Sequence, residues 1–107
     1  MNGIRHLDMD DLILLGNLLH GDTLAASARK LGVTQPAITQ RIRKIEGVFG
    51  DNLLVKSGRS LKLTNKGRAV CIKASEAMKL MMNAVEEAQT PIADPIMPMN
   101  LMSGDML

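Results

Sequence analysis

Between Thr34 and Lys44 the chain reads TQPAITQRIRK. Hydroxyls and amides come first, in Thr34, Gln35, Thr39 and Gln40, and cations follow in Arg41, Arg43 and Lys44. A glutamine side chain can bond bidentately to an adenine edge, and the apolar surfaces of Pro36, Ala37 and Thr39 suit a thymine methyl. Long cationic side chains further along suit phosphate oxygens, which position a protein on a duplex without reading its sequence. Lys56 and Arg59 follow, Arg59 in the turn Ser57-Gly58-Arg59. A cation at such a tip suits a narrow, strongly negative minor groove. Lys62 and Lys66 would add backbone contacts. The candidate nucleic-acid set is therefore Thr34, Gln35, Pro36, Ala37, Thr39, Gln40, Arg43, Lys44, Lys56 and Arg59, with Arg41 as a further phosphate contact.

These residues need a helix whose first turn is presented outward. Thr34 is a capping residue, and Pro36 suits a first turn, where its missing N–H costs nothing. Ile38, Ile42, Ile45 and Phe49 step by 4, 3 and 4, so a helix over 35–49 buries one side. Ahead of it, Thr23 caps a helix over 24–31 with Leu24, Ala28 and Leu31 as its buried stripe. Gly32 suits the left-handed conformation of a tight turn between the two. An earlier helix spans 8–19, with Asp8, Asp10 and Asp11 at its positive end and Leu12, Leu15 and Leu19 toward the core. Leu53–Lys56 and Ser60–Leu63 read as a small hairpin. Two strands alone are marginal in water, so it must lean on the helices through Leu53 and Leu54. The fold class is mainly α: a winged helix-turn-helix of three helices plus a two-stranded wing, followed by a long dimerisation helix.

That last helix starts after Thr64 and covers 65–89. Val70, Ala74, Ala77, Met81, Ala84 and Ala88 step by 4, 3, 4, 3 and 4, a heptad seam. At about 36 Å it is longer than so small a core can cover. A second copy of the same helix is the simplest supplier of the missing surface. The expected dimer interface is Val70, Ala74, Ala77, Met78, Met81, Ala84 and Val85. The domains are then 1–64 for the winged helix-turn-helix, 65–89 for the linker helix and 90–107 for a flexible tail. Pro91, Pro95 and Pro98 forbid a continuous helix in that tail.

Composition narrows the partners. The 107 residues carry a net charge of +2, one Phe and no Trp or Tyr. Single-strand binders stack bases on aromatic side chains, so duplex DNA is the better nucleic-acid candidate. From Arg29 to Arg68 ten basic residues face two acids, while both flanks are acidic. A basic centre suits a face directed at a polyanion. The single cysteine, Cys71, excludes an internal disulfide and fits a reducing, cytoplasmic setting. No apolar run approaches a membrane span.

The pattern resembles the LysR-type transcriptional regulators. Thr23, Leu24, Ser27, Ala28, Leu31, Val33, Thr34, Gln35, Pro36, Ala37, Ile38, Thr39, Ile42, Ile45 and Glu46 match that family's N-terminal module. Leu53, Leu54, Lys56, Arg59, Leu63, Thr64 and Gly67 continue the match. Leu54 stands where Phe is usual and Lys56 where Arg is usual, and lysine lacks the planar fork of arginine. The resemblance implies a linker helix pairing two subunits antiparallel, binding to interrupted palindromes, and regulation of transcription. It also implies a two-lobed sensor domain for a coinducer, and the sequence ends at Leu107 before such a domain. The expected function is a sequence-specific duplex DNA-binding regulator that lacks a coinducer domain, as a homodimer or, with the tail contributing, a tetramer.

Other classes fit less well. His6 and His20 sit in no triad or metal pattern, and no phosphate-binding glycine loop is present, so an enzyme is not expected. No cofactor or metal is expected either. Met97, Met99, Met102 and Met106 are thioethers that suit Cu(I), although methionine is also a common gap-filler. Cys71 as a redox sensor competes with simple burial in the seam. A second functional reading is a protein-interaction module that forms heterodimers through the long helix with a longer relative.

Overall fold

The computed structural model describes residues 2–90. A short 3-10 helix, Asn2–His6, leads into α1 (Met9–Leu19), α2 (Leu24–Leu31) and α3 (Gln35–Phe49). The strands β1 (Leu54–Ser57) and β2 (Ser60–Leu63) follow, and α4 (Asn65–Gln89) completes the described chain. The methionines and prolines of the tail lie outside the described residues.

Every α-helix starts on a side-chain oxygen. Asp8, Thr23, Thr34 and Thr64 accept from the backbone N–H of Asp11, Ala26, Ala37 and Gly67 respectively. Each such cap contributes about 1 kcal/mol by satisfying a donor the helix leaves open. At α1 the capping is reciprocal, because the Asp11 carboxylate accepts from the Asp8 N–H at 3.0 Å. Gly32, at φ 72°, makes the left-handed turn between α2 and α3.

The core gathers Leu14, Leu15 and Leu18 of α1 with Ala28, Ile38, Ile42, Ile45, Leu53, Cys71 and Ala74. The buried face of α1 differs from the expected Leu12–Leu15–Leu19 stripe. Leu15 is buried as expected, but Leu12 and Leu19 are half-buried and the stripe runs Asp11, Leu14, Leu15, Leu18. Leucine and isoleucine fill so much of this helix that spacing alone does not choose a face. The neighbours choose it, and cations on α3 draw Asp11 inward.

The hairpin is antiparallel, with Leu54 opposite Leu63 and Ser57 opposite Ser60. Its two-residue loop places Gly58 at φ 64°, the positive φ that such loops require. β1 begins one residue later than expected. Leu53 stands before it, 1% exposed, and fastens the wing to the helices. Its N–H donates to Glu46 Oε2 at 2.9 Å, and its carbonyl accepts from the Thr64 N–H at 2.9 Å. The Thr64 hydroxyl donates to the Asn52 carbonyl at 2.9 Å while it caps α4.

The first half of α4 packs on α1, burying Gly67, Cys71 and Ala74. Ala74 is only 6% exposed and Val70 is half-buried within one chain, so both serve the domain's own core before any partner. The heptad seam thus has two uses along its length. From Lys79 to Thr90 every residue is exposed, including Met81 at 51% and Val85 at 51%.

Candidate nucleic-acid interface

α3 has three sides. Ile38, Ile42 and Ile45 are buried against the core. Gln35, Pro36, Gln40 and Arg43 are exposed, with Thr39 and Ala37 half-buried beside them. The third side carries Arg41 and Lys44 toward the start of α1.

The exposed side begins at the positive end of the helix dipole. Neither α2 nor α3 has an acid in its first turn, although acids there would stabilise the helix. Their N-terminal partial charges therefore stay uncompensated, as an anion-facing end requires. Thr34 spends a lone pair on the Ala37 N–H at 3.3 Å and retains its hydroxyl proton for another acceptor. The Thr39 hydroxyl donates to the Gln35 carbonyl at 3.3 Å, which leaves its oxygen lone pairs to accept.

A cleft of about 620 Å³ lies among the end of α1, the start of α2 and the wing, with Gln35 at the start of α3 on its lining. Arg59 and Lys62 of the wing and Arg68 of α4 share that lining, as does Asp22, which is paired with Lys30. Lys56 and Arg59 are exposed. Among the described residues Arg43, Lys56, Arg59, Lys62 and Arg68 have no carboxylate within salt-bridge distance. Arg68 had no assigned role in the sequence. Its signal was its place four residues after the Thr64 cap, on the first exposed turn of α4.

Two residues expected as phosphate contacts, Arg41 and Lys44, form ion pairs within the chain. Lys44 Nζ lies 2.5 Å from Asp11 Oδ2. Arg41 Nη1 lies 2.9 Å from Asp11 Oδ1 and 3.1 Å from Asp8 Oδ1, and Arg41 Nη2 is 3.6 Å from Asp10 Oδ2. Both cations are engaged within the chain, on the flank of α3 that faces α1. The Asp11 N–H bond to Asp8 holds the Asp8 carboxyl below its ordinary value, burial opposes this, and Arg41 lowers it further. Arg41 is raised by the same contacts, Asp11 first. Cys71 is sealed in the core, and burial pushes its thiol up to about 11.

Residues 9–68 match the family described as bacterial regulatory helix-turn-helix protein, lysR family. The chain belongs to this family. A relative, the HTH-type transcriptional regulator TdcA of Escherichia coli K12, is 29% identical over 76 residues, covering 71% of this chain and 24% of TdcA. Nodulation protein D 1 of Neorhizobium galegae is 36% identical over 66 residues, covering 62% of this chain and 21% of that protein. The chain thus spans about a quarter of the length of these curated relatives. Among solved structures, the complex of the CbnR DNA-binding domain with DNA superposes with a TM-score of 0.68 at 27% identity, covering 77% of this chain and 94% of that one. The winged helix-turn-helix followed by a long helix is therefore the family's own architecture. TdcA is by name a transcriptional regulator. Among the described residues no helix is long and apolar enough to cross a membrane.

The junction around Leu53 explains why the resembling residues are of these types. Glu46, Leu53, Thr64 and Gly67 meet there, and each matches a position of the pattern. A β-carbon on Gly67 would overlap the Leu53 carbonyl, so only glycine lets α4 pass this close to the wing root.

Proposed function

We propose that this chain binds duplex DNA sequence-specifically and regulates transcription by occupying a promoter. Base reading falls to the first turns of α3, through Thr34, Gln35, Pro36, Ala37, Thr39 and Gln40. Arg43, Lys56 and Arg59 hold phosphate or a flanking minor groove. The observation that carries the reading is the exposed amide and cationic surface on the first turns of α3 and on the wing, with Gln35, Arg59, Lys62 and Arg68 on the lining of one cleft. The known DNA complex of a LysR-family domain with this fold supports it.

The unit on DNA is read as a homodimer joined through α4 on an interrupted palindrome. Support comes from the bare second half of α4, where Leu80, Met81, Met82 and Val85 are 51–70% exposed. An apolar groove of about 390 Å³ between α1 and α4, lined by Leu12, Leu15, Phe49, Val70 and Ala77, adds surface for a partner helix. The same bare helix favours a second reading, pairing with a longer relative. The proposal assigns these 107 residues no coinducer site.

Selection from a randomised duplex library tests the proposal. Enrichment of two inverted half-sites is expected, and retention without any enriched sequence refutes sequence-specific binding. On the selected site Gln35→Ala is expected to weaken specific binding by about tenfold or more, with little effect on random duplex. Arg59→Ala is expected to weaken both and to lower the salt slope by about 0.9. Equal losses on both duplexes for Gln35→Ala would remove that residue from base reading.

A further inference from the structure

We propose that Asp11 is a positioning residue for α3. Its carboxylate withholds Lys44 and Arg41 from phosphate and sets the rotation of the helix, so that the opposite flank alone faces DNA. This rests on the duplex-binding reading above.

Asp11 is fully buried, yet it sits on α1 among leucines. A buried carboxylate is costly unless paired, and both its oxygens are engaged by α3. Oδ1 faces Arg41 Nη1 at 2.9 Å, and Oδ2 faces Lys44 Nζ at 2.5 Å while also accepting from the Asp8 N–H at 3.0 Å. Asp8 and Asp10 close the other side of the Arg41 guanidinium. Arg41 and Lys44 lie one turn apart on α3, so two cations of one helix are held at a single point of another. Two charge-assisted contacts at a buried point resist rolling of α3 about its axis more than an apolar stripe of three isoleucines, whose contacts are non-directional. Gly3, within the 3-10 helix, lies against Val48 on the same flank of α3 and adds to that seat.

The arrangement also acts on charge. Lys44 keeps a third of its side chain exposed, so its ammonium is within reach of water and of any competing anion. Asp11 occupies it in advance. A lysine at this place would otherwise add a contact to any phosphate, raising binding to all sequences alike. By holding it, Asp11 raises the share of the interaction that depends on bases.

The test compares salt dependence of binding for the full chain on the selected duplex and on random duplex. Lys44→Met alone is expected to leave the slope of log K against log salt unchanged on both. Asp11→Asn keeps the shape and removes the charge, and Arg41 retains Asp8 and Asp10. It is expected to steepen the slope by about 0.9 as Lys44 reaches a phosphate. It is also expected to reduce the specific-to-random ratio about tenfold, the scale of one base contact. Adding Lys44→Met to Asp11→Asn returns the slope to its original value. A merely structural role for Asp11 would lower both affinities and leave the slope alone, and that result overturns the proposal. A slope made shallower by Lys44→Met in the otherwise unaltered protein also overturns it, because Lys44 would then already touch phosphate. If Asp11→Asn does not fold, the Lys44→Met result decides alone. Loss of salt-dependent duplex binding in the unaltered protein refutes the DNA reading itself, a failure visible before any variant is measured.

Discussion

Replacing Gly67 with alanine sets local propensity against packing. On the first turn of α4 the propensity scale gives Gly→Ala a gain of about 1 kcal/mol. The structure predicts the opposite sign. An added β-carbon would overlap the Leu53 carbonyl oxygen and lie 2.9 Å from its carbon and 3.0 Å from the Leu53 Cα. These are backbone atoms, and Leu53 cannot retreat freely. Its side chain is 1% exposed, its N–H is bonded to Glu46 and its carbonyl to the Thr64 N–H. Overpacking of this kind costs about 1–3 kcal/mol. Breaking one of the Leu53 hydrogen bonds to relieve it costs about 1 kcal/mol more. Less the propensity gain, Gly67→Ala should destabilise by about 1–3 kcal/mol, with roughly 4–8 °C off the melting temperature for each kcal/mol. Gly47→Ala in α3 is the matched control, because nothing lies within 4 Å of its added carbon. It should gain up to about 1 kcal/mol. Circular-dichroism melts at one fixed protein concentration separate the two, since association also shifts melting. A Gly67→Ala protein that melts at or above the original would refute the close approach at the wing root.

Two further outcomes follow from α4 and from the α1 cap. Val85→Asp places a charge on the bare half of α4 and should weaken self-association by at least about tenfold, from the ~1.5–3 kcal/mol of burying a valine. Sedimentation velocity across a concentration series reads this, and an unchanged distribution would remove Val85 from the pairing surface. Asp8→Ala removes the first oxygen of the α1 cap and should cost about 1 kcal/mol near neutral pH. Because the folded carboxyl titrates below its ordinary value of 3.8, that stabilisation is complete above the ordinary value and lost as pH falls through the lower one. Urea unfolding of the two proteins should therefore differ near neutral pH and converge in strong acid, and a difference that persists there would mean that Asp8 acts by shape alone.

Helix boundaries were legible because their signals are local. Thr23, Thr34 and Thr64 each precede a periodic apolar run, and each caps the helix expected of it. Gly32 was legible for the same reason, as one residue type that meets one backbone requirement. The face of α1 was not legible. Leu12, Ile13, Leu14, Leu15, Leu18 and Leu19 surround most of the helix, so the choice depends on where α2, α3 and α4 lie. Asp11 was read as a favourable charge at a helix start, which is what an exposed aspartate would be. Its burial depends on two cations 30 and 33 residues later, and no pattern within α1 announces them. The α4 seam was legible as an apolar face only. Its heptad spacing is continuous, but Ala74 meets α1 while Val85 meets solvent. Period identifies an apolar face and does not say whose apolar surface will cover it.

The charge pattern needs the same correction, and it bears on function. Ten basic residues between Arg29 and Arg68 suggest a broad positive face when counted in sequence. Four of them are paired within the chain: Lys30 with Asp22, Arg41 and Lys44 with the start of α1, and Lys66 with Asp51. The acidic first segment is therefore no repulsive flank. Asp8, Asp10, Asp11 and Asp22 neutralise cations that are not on the lining of the cleft. Arg29, Arg43, Lys56, Arg59, Lys62 and Arg68 remain, with no carboxylate within salt-bridge distance among the described residues. At about 0.9 for each phosphate neutralised, these six alone would give a salt slope near 5 per protomer, whereas all ten would give about 9. On the proposed reading, a smaller electrostatic share leaves relatively more of the binding free energy to Gln35 and its neighbours. On that reading, intramolecular pairing of surplus cations serves specificity, because every phosphate contact removed weakens all sequences equally while the base contacts stay.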